Sequence, residues 1–424
     1  MSQYRVKTVV TSSGERLPML VGSGGTPLWG ATVFVLTELR TRNRAASTIE
    51  NALRALMVFQ IFLDRRKIDL VHRMSCGRLL DLGEIDDLVR ICRLPVESWG
   101  EFYLEDEIPK LRNLAVSQER YRSRGVVLRH TEIVAAFSAT RLRCIRDYLK
   151  WSVANRISRL DGGSKVRSAL EAASRFVTEG IEARLPPAKS RGVLIGREGL
   201  EPGVVSELLR VIDADSPDNP WQDEHSRRRN ELIILWLYYL GLRRGEILGV
   251  RVADIDFRKG TVVIVRRADD KDDPRKRQPN AKTKAREIPL SSELLDMTSK
   301  YVMDFRGKLS GARRHGFLFV ASNTGAPLSI PAFAKIFVVL REKCRNLPRN
   351  LFAHLLRHTW NDRFSEEMDR RGAAEETEKK VRSYLMGWSE TSGTAATYTR
   401  RHVRKKAEQA SLSMQEQILN GGRK

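Results

Sequence analysis

The segment LPPAKSRG at residues 185–192 interrupts the helical pattern on either side of it, and a second Gly- and Pro-containing stretch follows at 196–203. Proline removes a backbone donor and fixes φ, so no continuous helix passes through such a run. A chain of 424 residues is also too long for one ordinary hydrophobic core. Together these features predict two domains joined by a linker at residues 185–199. Residues 1–30, a mixture of Gly, Ser, Thr and Val, read as an irregular or short-stranded arm. Residues 31–184 read as a helical domain, 200–404 as a second domain, and 405–424 as a tail.

In the first domain Ser47 and Glu50 have the spacing of a capping box, and Ile49, Leu53, Leu56, Phe59 and Leu63 recur at helical intervals. A further helix, around residues 140–151, is expected to carry two stripes. Leu142, Ile145 and Leu149 form an apolar line, while Arg143, Arg146 and Lys150 repeat the spacing one residue later. Such a helix can pack on its domain and face a phosphate backbone; an ordinary solvated face fits the same pattern. Beyond the linker come a long apolar helix (Leu232–Leu242), strands near Thr261–Val265 and Arg286–Leu290, and more helices. The expected fold class is therefore mainly α with a small antiparallel sheet: a helical N-terminal domain and a mixed α/β second domain without alternating βαβ units. The charge run Asp269–Arg277 reads as a solvated loop between two strands.

Charge narrows the partner. Lys and Arg total 75 against 52 Asp and Glu, a net charge of +23. Residues 1–195 carry 32 basic and 21 acidic side chains and the remainder 43 and 31, so both halves are basic. Neutralising phosphates releases condensed counterions, which makes nucleic acid the leading partner, and two basic halves suit two domains gripping one duplex of double-stranded DNA; a ribosome-associated or merely soluble basic protein would carry the same charge. Four scattered cysteines (Cys76, Cys92, Cys144, Cys344) without a CxxC pair predict neither disulfide framework nor zinc ribbon. The N-terminus lacks the apolar core of a signal peptide, and the run Leu232–Leu242 is short of the roughly 20 residues a membrane span needs. A cytoplasmic protein with no membrane partner is expected, nucleoid-associated if bacterial.

Four short motifs in the second domain carry chemistry. In GLRRGEIL, Arg243 and Glu246 are three apart, so on a helical turn the carboxylate can hold the guanidinium. In AKTKAREIPL a strand-edge lysine can protonate a leaving oxygen; Lys282, Lys284 and Arg286 compete for that role. In HLLRH, a helix would place His354, Arg357 and His358 on one face. Leu355 stands where a zinc protease would need Glu, so three donors facing a phosphate fit better than a metal. Last come LMGW, ending in Trp388, and ATYTRR, which holds Tyr398, the final tyrosine of the chain. Between Arg357 and Trp388 lies an acidic-basic stretch, GAAEETEKK.

Arg, Lys, His-x-x-Arg, His/Trp and Tyr in this order resemble the catalytic domain of the tyrosine recombinase, or phage integrase, family, from about Leu200 to Arg404. By that resemblance Arg243 and Arg357 are the catalytic arginines, Glu246 the buried acidic support, and Lys282 the strand lysine. His354 begins the HxxR motif, His358 follows it, Trp388 takes the His/Trp position, and Tyr398 is the nucleophile. The resemblance implies a core-binding DNA-binding domain at 31–184, a 3′-phosphotyrosyl intermediate, and a tetramer on DNA whose tail docks on a neighbour; Leu412, Met414, Ile418 and Leu419 are the candidate anchors, and a frayed end fits the same tail. Partner recombinases or accessory proteins would fit the same scheme, as would service to a mobile element. Such a transesterification needs no metal, nucleotide or other cofactor. The competing readings are a type IB topoisomerase and a catalytically idle DNA-binding assembly subunit, the latter disfavoured by the intact set of functional groups.

Overall fold

The computed structural model describes residues 3–95, 134–186, 199–281, 283–389, 393, 395, 398, 407 and 410–415. The chain divides into two compact units, one of Met1–Thr11 with Arg16–Ser190 and the other of Ser12–Glu15 with Arg191–Lys424.

The first unit opens with an antiparallel hairpin, β1 (Arg5–Val10) and β2 (Arg16–Val21), pairing Arg5 with Val21 and Val10 with Arg16. Leu20 of β2 packs against Phe34 of α1 (Trp29–Phe34) and against Ile49, Leu53 and Leu56 of α2 (Ala46–Arg65). Below this lies a helical core in which α2 meets α3 (Leu70–Ser75), α4 (Leu82–Arg93), α5 (Ala135–Ile157) and α6 (Lys165–Ala183). The apolar face foreseen for α2 is the buried one, as is the line Leu142, Ile145, Leu149 on α5.

The capping box expected at Ser47 does not form. Helix α2 starts at Ala46, so its N-cap is Ala45, two residues before Ser47 and without a side-chain cap, and Glu50 pairs with Arg54 one turn on. An i,i+4 ion pair competes directly for a first-turn glutamate. A true capping box starts α4: Asp81 accepts from the Glu84 backbone N–H at 2.8 Å, and Glu84 accepts from that of Asp81 at 2.9 Å.

The second unit is organised around α8 (Glu224–Leu240), which follows α7 (Pro202–Ile212). Leu232, Ile233, Ile234, Trp236 and Leu237 are all buried, leaving no polar face along this stretch, as expected of a helix enclosed by its neighbours. The Trp236 indole N–H donates to the Thr298 hydroxyl at 3.1 Å, so its one polar atom is satisfied inside the core. A short helix α9 (Arg244–Ile247) leads to the sheet β3 (Ile255–Asp256), β4 (Thr261–Ile264) and β5 (Arg286–Pro289), antiparallel and in that order. Helices α10 (Ser292–Lys300), α11 (Ile330–Lys343), α12 (Ala353–Arg370) and α13 (Glu375–Met386) complete the unit. The chain is thus mainly helical with small antiparallel sheets. Among the described residues no helix is long and apolar enough to cross a membrane.

The charge run Asp269–Arg277 is a loop between β4 and β5, but not a wholly solvated one. Asp273 and Arg275 are buried and paired, and Arg275 Nη1 also donates to the carbonyls of Leu248 at 3.1 Å and Leu328 at 3.0 Å. Its guanidinium lies 4.4 Å from the Phe317 ring centroid. Alternating charge conceals this internal clamp because a buried pair and a solvated pair use the same residue types.

Candidate active site

The site begins with the end of α8. Gly241 closes the helix at φ +60°, a left-handed conformation for which a side chain is strained, and a Cβ there would sit 2.8 Å from the Trp360 ring. The turn delivers Arg243 to the start of α9, where its backbone N–H donates to Glu246 Oε2 at 2.7 Å.

Glu246 is fully buried among three guanidiniums. Arg286 Nη1 lies 3.1 Å from Oε1, Arg357 Nη1 3.7 Å from Oε2, and Arg243 Nη1 3.7 Å from Oε1. The Thr283 hydroxyl donates to Oε1 at 2.5 Å. Burial, the largest single influence, disfavours the ionised carboxylate, but the charge and hydrogen bonds of Arg286, with Arg357 behind them, prevail and hold its pKa below the ordinary value. One carboxylate therefore anchors cations from three motifs, by contact with the β5 strand, α12 and the α8–α9 turn.

Arg286 is spent on this anchoring: it also donates from Nε to the Leu385 carbonyl at 2.6 Å and is buried. Of the three candidates for proton donor it is the one the geometry removes. Lys284 is exposed, and Lys282 lies outside the described residues. The backbone N–H of Lys284 donates to the Gly387 carbonyl at 3.0 Å, joining the strand entry to LMGW. Gly387 has φ +64°, and a Cβ there would meet Arg286 Nη1 at 2.7 Å and Thr283 Cβ at 2.8 Å.

Helix α12 carries HLLRH. Leu355 and Leu356 are buried, and Arg357 is sealed at their side. Arg357 Nη1 donates to the Gly241 carbonyl at 2.6 Å and Nη2 to that of Met386 at 3.3 Å; its Cζ lies 5.4 Å from the Trp388 ring centroid. Burial first, and then repulsion from Arg243, push its pKa down to about 9, which leaves it cationic at neutral pH. His354 is exposed, and its ring meets that of His358 edge to face at 4.7 Å between centroids.

Tyr398 closes the constellation. Its hydroxyl is 2.9 Å from His358 Nδ1, and its ring stacks on Trp388 with centroids 5.7 Å apart and planes 11° from parallel. Burial raises the phenol pKa, while Arg357, Arg243 and Arg382 each draw it down. Arg243 Nη1, Arg357 Nε and Trp388 Nε1 are buried with no hydrogen-bond partner among the described residues. Unsatisfied buried donors cost free energy unless a ligand meets them. A set that is cationic and donor-only suits an anion with several oxygens.

The structure thus brings Arg243, Glu246, His354, Arg357, His358, Trp388 and Tyr398 into one cluster. On α5, Arg143 and Lys150 are exposed, whereas Arg146 is held by Asp147 at 2.7 Å and Glu182 at 3.0 Å, so the basic stripe is not uniform. In the tail Leu412 and Met414 are exposed; Ile418 and Leu419 lie outside the described residues. Sequence reading missed Thr283 as the partner of Glu246. It also missed Arg382, whose Cζ is 5.8 Å from the Tyr398 ring centroid. The adjacency of Thr283 to the strand lysine was the only signal for the first; for the second there was none.

A model of the phage integrase family matches residues 200–405. The tyrosine recombinase XerD of Halalkalibacterium halodurans is 28% identical over 132 residues, which is 31% of this chain and 39% of that protein, so the match spans well under two thirds of the relative. Among solved structures, the XerH site-specific recombinase bound to palindromic difH substrate aligns with a TM-score of 0.48 at 15% identity, covering 85% of this chain and 78% of that one. The Tn1549 transposon integrase in complex with transposon right end DNA aligns at 0.38 and 17% identity, covering 69% of this chain and 97% of that one.

Proposed function

Residues 200–405 belong to the phage integrase family, and on that premise we propose that the chain is a tyrosine-type site-specific DNA recombinase, the integrase of a mobile element, with Tyr398 as its nucleophile. The observation that carries this reading is the Tyr398 hydroxyl 2.9 Å from His358 Nδ1, beside buried guanidinium and indole nitrogens that lack hydrogen-bond partners among the described residues.

A DNA phosphodiester resists attack because its oxygens are anionic, and the pentacovalent transition state concentrates more charge on them. Arg243 and Arg357 offer the N–H groups that would bind those oxygens, and Trp388 adds a neutral one. Glu246 keeps the guanidiniums in register, so little reorganisation is needed as charge develops. A phenol near its ordinary pKa of about 10 is a poor nucleophile at neutral pH, and burial makes it poorer. His358, in the tautomer whose Nδ1 accepts, takes the proton as the phenolic oxygen attacks phosphorus; their 2.9 Å separation supports this role.

In that step the Tyr398 oxygen forms a bond to phosphorus and the bond to the 5′ oxygen breaks. Lys282 donates the proton the departing oxygen requires, leaving a 3′-phosphotyrosyl ester and a free 5′ hydroxyl. A 5′ hydroxyl of a second duplex reverses the chemistry and releases Tyr398. Bond energy is conserved in the ester, so no nucleotide is consumed. Exchanging two duplexes breaks four strands, which calls for four protomers on DNA, with the exposed Leu412 and Met414 as tail contacts to a neighbour. The basic surplus of the whole chain and the exposed Arg143 and Lys150 support duplex binding.

A nicked duplex drawn from the flanks of the protein's own gene tests the reading, because loss of the short fragment that bears the freed 5′ hydroxyl, between the cleavage site and the nick, traps the ester. A protease-sensitive protein–DNA adduct on a denaturing gel is expected. Tight binding without any adduct would favour an assembly subunit instead.

A further inference from the structure

Helix α13 contains a charge that the mechanism above does not use. Arg382 is fully buried, and its Nη2 donates to the Ser365 hydroxyl at 2.5 Å and to Glu378 Oε1. Glu378 is buried too, and also accepts from the Ser365 hydroxyl at 2.9 Å. The pair therefore ties α13 to α12, the helix of HLLRH. Arg382 Nε and Nη1 are buried with no hydrogen-bond partner among the described residues, and its Cζ lies over the Tyr398 ring, 5.8 Å from the centroid, and over Phe364 at 5.1 Å.

A buried ion pair is a poor way to join two helices. Desolvating both charges offsets most of their attraction, and apolar side chains of similar volume commonly hold a core as well or better. Two unsatisfied N–H groups add to the cost. What an apolar side chain cannot supply is a fixed cation against the face of a tyrosine ring, where the π cloud attracts it and a developing phenolate attracts it more.

We propose that Arg382, locked by Glu378 and Ser365, is a positioning residue for Tyr398: it fixes the phenol ring beside Trp388 and His358 and favours its deprotonation as the ring attacks. The inference rests on Tyr398 being the nucleophile. It adds a further cation to the site, one that differs from Arg243 and Arg357 in facing the ring of the nucleophile. Burial raises the phenol pKa, and Arg382 is among the three cations that oppose that rise, so geometry and electrostatics agree.

The test uses full-length wild type, Arg382→Met, Arg382→Lys and Glu378→Gln, with two readouts. The first is the titration of Tyr398 without DNA, followed by the Cζ resonance of isotope-labelled tyrosine and assigned by its loss in Tyr398→Phe. The second is the pH profile of adduct formation on the nicked duplex. Arg382→Met should keep its melting temperature and titrate at higher pH. Its adduct should form more slowly than wild type at every pH below that pKa, and at the wild-type rate above it. Arg382→Lys should restore part of the rate. Glu378→Gln, which keeps the cation and removes its counter-charge, should move the titration to lower pH, and this holds the proposal to account even where Arg382→Met does not fold. A titration and a pH profile unchanged in both variants would overturn it and leave Arg382 as a helix tie. The DNA-free titration keeps this failure separate from absence of an adduct in wild type, which would instead overturn the assignment of Tyr398.

Discussion

The Tyr398 hydroxyl and Nδ1 of His358 lie 2.9 Å apart, although 40 residues separate them in the chain. The contact joins Tyr398 to α12, and under the proposed function it makes His358, rather than His354, the nearer group to take the phenolic proton. Replacing His358 with Ala should lower the rate of adduct formation by about 10²-fold or more, the usual scale for loss of a general base. His354→Ala should cost less. Single-turnover cleavage of a nicked duplex measures both, and equal losses would argue against the selection.

Glu246 is the electrostatic keystone of the unit. Removing one member of a buried ion cluster strands the remaining charges, so Glu246→Ala should cost roughly 3–5 kcal/mol of stability, read by denaturant titration. The pH dependence has a definite sign. A carboxylate whose folded pKa is depressed stabilises the fold above its unfolded value and loses that contribution as pH falls through the folded value. Wild type should therefore keep the Glu246 contribution above about pH 4.5 and lose it progressively below, and Glu246→Gln should lack that component of acid unfolding.

Gly387 sits where the strand entry, α13 and Arg286 meet. Alanine there combines a left-handed backbone with a Cβ 2.7 Å from Arg286 Nη1, so Gly387→Ala should destabilise by about 1–3 kcal/mol and lower cleavage beyond what the melting shift explains. Wild-type cleavage at a temperature where the variant is fully folded would count against this role for the glycine.

The proton donor is decided by leaving-group chemistry. A thiolate departs without protonation, so a duplex with sulfur in place of the bridging 5′ oxygen should restore cleavage to Lys282→Ala. Rescue of Lys284→Ala instead would move the role to that residue. Arg286→Ala should not be rescued, because its side chain is committed to Glu246 and the Leu385 carbonyl.

Duplex binding should weaken with salt, each phosphate contact contributing a slope of about −0.9 in log affinity against log salt. Arg143→Ala and Lys150→Ala should each flatten that slope by about 1, while Arg146→Ala, already paired with Asp147 and Glu182, should change it little. Equal effects of all three would mean that the carboxylates release Arg146 on binding.

What the sequence conveyed of this molecule follows from how local each signal is. Apolar spacing exposed the buried faces of α2 and α5, and the two longer strands of the second unit fell where Thr261–Val265 and Arg286–Leu290 had been read. Four polar motifs in a fixed order pointed to one cluster because each holds a residue type with narrow chemistry. Burial of charge was not readable. Asp273 with Arg275, and Glu378 with Arg382, resemble solvated pairs until the elements covering them are in place. Most of GAAEETEKK forms the first turns of α13, and its Glu378 faces inward to hold Arg382. Within the first 30 residues, read as an irregular or short-stranded arm, Arg5–Val10 and Arg16–Val21 form a hairpin whose Leu20 packs against α2.

The most direct test of the central claim is the chemical identity of the covalent link. The adduct formed on a nicked duplex is digested with protease and nuclease, and the modified peptide is sequenced by mass spectrometry. The account predicts a 3′-phosphonucleotide on Tyr398 alone, with no adduct from Tyr398→Phe. A nucleotide on any other residue, including Tyr384, Tyr238 or Tyr239, or an adduct persisting in the variant, would contradict it.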